Sequence, residues 1–441
     1  MQPGFWQSEL GPAAPRPPLP GDLEVDVAIV GAGFTGLWTA YHLLRAEPSL
    51  RVVVLEREQV GFGASGRNGG WLSALLPGPR SRYGAGAEAL GEAMRQQVLD
   101  VEKTCAEEGI DADLVRGGTL TVATTGAQEQ RLRAHVAAEQ TSDPDLVLLG
   151  PDQCDVRVAG LRVGAFTPHC ARLQPAKLVR GLAAAAERRG AVIHEGTAVS
   201  AIAPREVTTD RGTVRARWVV RATEGFTAGL PGQRRTWLPM NSSMIATDPL
   251  PQAFWDDVGW ENRTTLADEA HVYCYAQRTA GDRIAIGGRG VPYRYASRTD
   301  HGGETARATV AELESTLARL FPQLAGTKAA AAWSGVLGVS RDWCATVGAD
   351  PATGLAWAGG YAGDGVTTSA LAGRTLADLI TGRSTDLTCL PWVGRAPKRW
   401  EPEPLRWLGV RTAYAAYRFA DRVETTRTSP VAKIADRLTG Q

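Results

Sequence analysis

Three glycines, Gly31, Gly33 and Gly36, stand at the spacing Gly-x-Gly-x-x-Gly, with Ala32, Phe34 and Thr35 between and after them. An acid, Glu56, follows twenty residues after the last glycine. These residue types at this spacing suit a dinucleotide. Gly31 permits a tight turn, Gly33 lets the backbone approach a pyrophosphate, and Gly36 lets helix and strand pack closely. The free N–H groups and partial positive charge of a helix N-terminus attract phosphate. Glu56 can accept hydrogen bonds from ribose hydroxyls and disfavours a 2′-phosphate. A second match, Gly61-x-Gly63-x-x-Gly66, follows no apolar strand and is not read as a fingerprint. Near the other end, Gly360-Tyr-Ala-Gly363-Asp-Gly365 again joins a strand to a helix. One helix N-terminus can face a pyrophosphate, the other the N1–C2=O edge of a flavin, where negative charge develops on reduction. An ordinary strand–helix turn is the alternative, and the first fingerprint alone does not separate FAD from NAD.

The elements around these turns must position them. Val25–Val30 and Arg51–Glu56 are short apolar runs, the pattern of buried parallel strands. Between them Leu37, Ala40, Leu43 and Leu44 mark one helical face, which completes a βαβ unit. Residues 61–86 read as a Gly-rich loop, 87–108, 127–140 and 175–190 as helices, and 191–195, 198–202 and 215–221 as strands. Residues 235–300 read as strands and 304–321 as a helix; a strand at 355–360 precedes a helix to 381. The fold expected is α/β in composite form: a Rossmann-like nucleotide domain interleaved with an antiparallel-sheet substrate domain. The nucleotide domain takes 21–109, 174–231 and 335–385, and the substrate domain 110–173 and 232–334. Residues 1–20, rich in proline, read as an extended arm, and 386–441 as a helical tail with Trp392, Trp400 and Trp407 and a basic helix at 403–425.

Composition limits the rest. The chain has 441 residues and a net charge of +1, which argues against a general nucleic-acid binder. Its six cysteines are far apart, so neither a disulfide framework nor a zinc site is expected, and no metal. No apolar stretch suits a bilayer and no signal-like start is seen, so the expected setting is cytoplasmic.

Val27 to Leu37, Glu56-Arg57 and Gly63-Ala-Ser-Gly-Arg-Asn-Gly-Gly70 together resemble the D-amino-acid-oxidase-like (DAO) family of FAD oxidoreductases, its gamma-glutamylputrescine-oxidase-like branch in particular. Arg221-Ala-Thr223, Gly287-Gly-Arg289, Trp333-Ser-Gly335 with Asp342, and Gly360 to Gly382 extend the likeness over roughly residues 5–385. The resemblance implies FAD in an extended pose. Gly31, Ala32, Gly33, Phe34, Thr35 and Gly36 would hold its pyrophosphate, with Glu56 and Arg57 at the adenosine ribose. Ala64, Ser65, Arg67, Asn68, Gly69 and Gly70 would line the path to the isoalloxazine, with Ala222 and Thr223 beside the cofactor. Val199 would lie by the adenine, and Gly363, Asp364, Gly365, Val366 and Thr367 by the flavin ring. Some relatives attach the flavin to a cysteine where this chain has Gly335, with Cys344 displaced; others use a histidine in a loop that here, at 60–71, has none. Non-covalent FAD is therefore expected.

The resemblance also implies a substrate. Gln277 aligns with an arginine, and Thr367 with a lysine, that bind carboxylate in some relatives; Asp364 replaces a common histidine. These changes predict an amine with no carboxylate near the reacting carbon, unless Arg289 or Arg67 restores the charge. Trp71, Tyr275, Gln277 and Asp364 are the pocket candidates, with Trp333 and Tyr273 read rather as core, and His271 as the one histidine placed to act as a base. The predicted reaction is oxidation of a C–N bond in an amine or amino-acid-like molecule by hydride transfer to flavin N5, giving an imine that hydrolyses. Ala285 stands where sarcosine-type oxidases carry an oxygen-activating lysine, so the electron partner is oxygen or a carrier. Two other readings stand beside it: a flavin hydroxylase, and a non-catalytic FAD-binding scaffold subunit docked through its Trp-rich tail, whose helix could also lie on a membrane surface.

Overall fold

The structure is a computed structural model that describes residues 4–288, 293–299 and 303–439. Apolar, β-branched runs buried on both faces make its first sheet. The order is Thr346–Asp350, Leu355–Gly359, Thr213–Arg221, Leu23–Val30, Val52–Leu55, Val192–His194. All neighbours in that order are parallel except the first pair. The strand Leu23–Val30 sits between Thr213–Arg221 and Val52–Leu55, so its C-terminal end opens at the middle of the sheet. Ligands of parallel sheets bind at that end.

Helices Phe34–Ala46 and Gly365–Thr381 cover this sheet side by side. Small residues let them approach: a Cβ on Gly373 would lie 2.6 Å from the Trp38 Cβ. The helix Ala87–Glu108 runs with the bounds its pattern predicts and packs on Gly365–Thr381.

The second sheet has the order Ala331–Val339, Leu238–Ala246, Ile284–Gly288, Tyr275–Arg278, Thr265–Asp268, Thr119–Ala123, Val163–Thr167, Val147–Leu149. It is antiparallel except where Thr265–Asp268 pairs with Thr119–Ala123 in parallel. The boundary expected between 334 and 335 falls inside its edge strand Ala331–Val339, which stays paired to Leu238–Ala246 throughout. A helix, Gln252–Val258, interrupts the stretch read as strands alone. Trp71–Ser73, inside the Gly-rich loop, pairs with Cys170–Arg172 and ties that loop to the excursion before residue 174.

The N-terminal segment is not simply an extended arm. Phe5–Ser8 is one helical turn with Phe5, Trp6 and Gln7 buried. Trp6 Nε1 donates to the Asn68 carbonyl (2.8 Å), Gln7 Nε2 to that of Gly61 (3.2 Å), and Phe5 stacks on Trp333. From Gly11 to Pro15 the chain is exposed, and Leu19 is buried again.

The tail is docked. Trp392 is fully buried and Trp400 Nε1 donates to the Val339 carbonyl (2.7 Å). Its basic helix spans Leu405–Val423, and a further helix, Pro430–Thr439, follows. Among the described residues no helix is long and apolar enough to cross a membrane.

Candidate functional site

The site begins where the strand Leu23–Val30 ends. Gly31 turns the chain with φ +109°, and a Cβ there would lie 2.6 Å from the Ala222 carbonyl oxygen. A Cβ on Gly36 would overlap the Gly31 carbonyl oxygen, so only glycine closes this turn. Gly33 caps the helix Phe34–Ala46 with no side chain, so the first N–H groups receive no cap from that residue. One of them, of Phe34, donates to Ser65 Oγ at 2.8 Å. Glu56 accepts from the N–H groups of Ala32 (2.9 Å) and Glu58 (3.0 Å). Burial raises the Glu56 carboxyl above its ordinary range against the pull of those two donors. The second glycine motif lies against the first, Gly61 N donating to the Ala32 carbonyl (3.0 Å). It repeats the same close approach, between Gly66 and the Gly61 carbonyl. It contributes Gly63 to the cavity wall without following a strand of its own.

Two adjoining cavities open from this turn. Gly31, Gly33, Phe34, Thr35, Glu56 and Arg57 line the first. So do Ala64, Ser65, Asn68, Val199, Ala222 and Thr223, and at its far end Gly363, Gly365 and Val366. The second is lined by Arg67, Gly69, Trp71, Tyr275, Asp364 and Thr367. Ala64, Asn68, Leu337, Gly363 and Val366 line both, so the two are continuous along one wall. The lining suits an extended dinucleotide, with a helix N-terminus at one turn, the Glu56 carboxylate near it, and a second helix N-terminus, at Gly365, at the junction.

The FAD dependent oxidoreductase (DAO) family matches residues 26–379. The chain belongs to this family. It is 31% identical over 391 residues to the gamma-glutamylputrescine oxidoreductase of Escherichia coli (strain K12), covering 86% of this chain and 88% of that protein. It is 28% identical over 415 residues to the probable oxidoreductase OrdL of Rhizobium meliloti (strain 1021), covering 88% and 91%. The glycine oxidase of Geobacillus kaustophilus has the same fold, with a TM-score of 0.70 at 24% identity over 82% of this chain and 96% of that one. The protein is therefore an FAD-dependent oxidoreductase.

Within this DAO-family chain several expected residues sit elsewhere. Ala32, Gly36 and Gly70 shape the turns but line neither cavity. Gln277 does not line the second cavity: it is buried, and its Nε2 donates to the carbonyls of Gly69 (2.6 Å) and Leu173 (3.1 Å). It holds the loop behind the wall. Arg67 turns its Nε to the Phe62 carbonyl (2.9 Å) and lies over the Phe62 ring. Arg289 lies outside the described residues. Tyr273, read as core, is 37% exposed and lines the second cavity. Trp333 is core, its Nε1 donating to the Arg67 carbonyl (2.8 Å). His271 lines neither cavity: it pairs with Glu424 of the tail (3.1 Å) and stacks on Tyr417.

The aromatic corner is built by contact. Trp71 and Tyr275 meet edge to face at 6.2 Å, and the Tyr275 hydroxyl shares a hydrogen bond with Ser242 (2.8 Å). Gly69 and Gly287 both leave room for the Tyr275 ring. Thr367 is buried at the cavity wall with its hydroxyl unpartnered. Sequence reasoning missed Phe62, Phe226, Leu337, Tyr361 and, above all, Glu224, all on the first cavity. The signal for Glu224 was its place directly after Ala222-Thr223.

Proposed function

We propose that this chain oxidises the CH–N bond of an amine that carries no carboxylate beside the reacting carbon. The observation that carries this is the charge of the second cavity: among its described lining, the one cation, Arg67, is engaged by the Phe62 carbonyl, while Asp364 faces the space. An acid in that wall, Asp364, favours a cationic amine over a substrate carboxylate. The glycine oxidase likeness covers the fold, and the gamma-glutamylputrescine oxidoreductase likeness agrees with an amine.

Bound FAD supplies a hydride acceptor, which the residues of the first cavity would hold. Gly31, Gly33 and Ser65, whose hydroxyl is held by the Phe34 N–H, would meet the pyrophosphate, Glu56 a ribose, and the Gly363–Thr367 turn the ring. The protein's own work is placement. Asp364 draws in the ammonium and takes its proton on a carboxylate oxygen, leaving the nitrogen lone pair free. Trp71, Tyr273 and Tyr275 orient the apolar part of the substrate and keep water from the reacting carbon. The Tyr275 phenol is held still by Ser242. The imine leaves the pocket and hydrolyses in water.

The cofactor is held without a covalent bond. No cysteine or histidine lines either cavity among the described residues. Gly335 stands at the wall, and Cys344 is buried with its thiol pushed up to about 11 by burial. The electrons pass to oxygen or a carrier; Ala285 is buried in an apolar cluster with Phe5, Trp6 and Trp333. The excursions 110–173 and 232–334 act together as the substrate-covering unit.

The test is anaerobic mixing of the flavin-loaded protein with polyamines, N-methylated amines and amino acids. Bleaching by amines and not by amino acids is expected. Bleaching by amino acids alone overturns the amine reading. A flavin that no amine or amino acid bleaches would point to the scaffold role.

A further inference from the structure

The strands Thr119–Ala123 and Thr265–Asp268 run parallel in the second sheet, so both end on the same edge. Thr119, Thr121 and Ala267 of this pair line the second cavity. The first strand leads into the helix Gly126–Glu139. The second leads into the loop 269–274, which returns as the strand Tyr275–Arg278. Tyr273 on this loop and Tyr275 at its end line the same cavity. The loop is pinned at its base: the Glu269 N–H donates to the Val122 carbonyl (3.1 Å) and the Cys274 N–H to the Asp268 carboxylate (2.8 Å).

The middle of the loop is held by the tail. Asp421 accepts from two consecutive N–H groups, His271 on Oδ1 (2.8 Å) and Val272 on Oδ2 (2.9 Å). Glu424 is bonded to the His271 ring (3.1 Å) and accepts from Arg131 and from the Ser429 N–H (2.6 Å). Arg131 also donates to the Glu269 carbonyl (2.7 Å), and the Gly126 N–H donates to the Thr425 carbonyl (2.8 Å). The tail thus ties the helix after one strand to the loop after the other. Both acids stand at the C-terminal end of the helix Leu405–Val423, where the helix dipole disfavours negative charge. The loop N–H groups and the Arg131 guanidinium supply the compensation. Both acids also lie beyond residues 26–379, the part that matches the family.

We propose that Asp421 is a positioning residue for substrate binding: from the tail it fixes the loop at His271 and Val272, and so sets where Tyr273 and Tyr275 stand in the wall of the second cavity. This rests on the second cavity being the substrate site, and not on which amine it takes.

The lever is short. Tyr273 follows Val272 directly, and the peptide unit between them is planar, so a held Val272 backbone limits where the Tyr273 ring can go. Val272 itself packs against the tail beside Ala413 and Tyr417. Release of the two N–H groups frees the loop between its pinned ends. The cavity wall then widens without loss of a cofactor contact, because no residue of the loop lines the first cavity. Binding of substrate weakens, while the chemistry of a molecule once seated is kept.

The experiment compares the full-length, flavin-loaded protein with Asp421→Ala and Asp421→Asn. Glu312→Gln is the control, since Glu312 pairs with Arg418 of the same tail helix (3.1 Å) from another element. Three quantities are read: hydrogen exchange of the 269–273 amides, quenching of the bound flavin by acrylamide, and half-saturation of anaerobic bleaching by whichever molecule of the amine and amino-acid panel reduces the native flavin. Asp421→Ala should exchange faster at 269–273 and roughly double the quenching constant, with flavin content unchanged. Its half-saturation should rise at least about threefold while the limiting bleaching rate stays within about twofold. Asp421→Asn keeps one acceptor oxygen and should fall between. Unchanged quenching and half-saturation in Asp421→Ala overturn the proposal, and so does a Glu312→Gln protein that shifts both as far. Native 269–272 amides that exchange as fast as the exposed segment Gly11 to Pro15 overturn it without any variant. If nothing in the panel bleaches the native flavin, the amine reading falls, while exchange and quenching still decide the role of Asp421.

Discussion

The side-chain amide of Gln277 donates to the carbonyl oxygen of Gly69 at 2.6 Å, reaching from a strand of the second sheet to the loop beneath the cofactor cradle. A second bond from the same nitrogen, to Leu173, fixes the strand pair on which Trp71 stands. Gln277→Ala should leave two buried carbonyls unpaired and cost about 1–3 kcal/mol, read as a lower denaturant midpoint. Gln277→Arg should also lose stability and gain no amino-acid oxidation. A stable arginine variant that turns over amino acids would show that this position faces substrate after all.

The turn at Gly36 admits no side chain. Gly36→Ala drives a Cβ into the Gly31 carbonyl oxygen, backbone that cannot swing aside, so the whole turn must open. Purified variant should retain little flavin, measured as the ratio of visible to ultraviolet absorbance. Full flavin content would mean that the close approach is dispensable.

Acid should loosen the join between three helices. Glu108, at the end of Ala87–Glu108, accepts from Arg188 (2.9 Å), Arg189 and the Tyr41 hydroxyl (2.9 Å). Burial alone would raise its carboxyl, but the two guanidinium groups and the phenol outweigh that and hold it at about 2. Because the folded value lies below the ordinary 4.5, the stabilisation is present above pH 4.5 and is lost as pH falls toward 2. Glu108→Gln should be less stable at neutral pH and show a shallower loss in that window. Equal acid slopes in both proteins would assign the effect to other groups.

Charge in the second cavity should select the substrate. Asp364→Asn should raise KM for a cationic amine several-fold while flavin content stays unchanged. Thr367→Lys places an ammonium at the same wall and should raise amine KM by at least about tenfold, the cost of a like charge nearby. Amino acids should then become better substrates relative to amines. A lysine variant with unaltered preference would place the substrate elsewhere.

The parts of this molecule legible in its sequence are those whose physics is local. Val27–Val30 and Val52–Leu55 are apolar throughout because both faces of a parallel strand are covered, and the Gly31–Gly36 turn follows from backbone sterics. Gly363 to Val366 were legible as a second turn of the same kind. What escaped was set by partners distant in the chain. Gln277 looks like a pocket residue until the carbonyls of Gly69 and Leu173 are seen beside it. His271 looks placed for catalysis until Glu424 claims it. Tyr273 carries no mark in the sequence that it borders a cavity. Glu224 is informative only once the N–H groups of Gly338 and Gly360 have been brought to it by two different sheets.

The short turn Phe5–Ser8 fastens to Gly61, Asn68, Gln174 and Trp333, and exposed chain from Gly11 to Pro15 is its tether. A single proteolytic nick in that tether would remove no strand and no cavity residue. It would, however, turn an intramolecular contact into one between two molecules, and the effective concentration that keeps such a clasp shut would be lost on dilution. The severed peptide would drift off, and the outer support of the cofactor loop would leave with it.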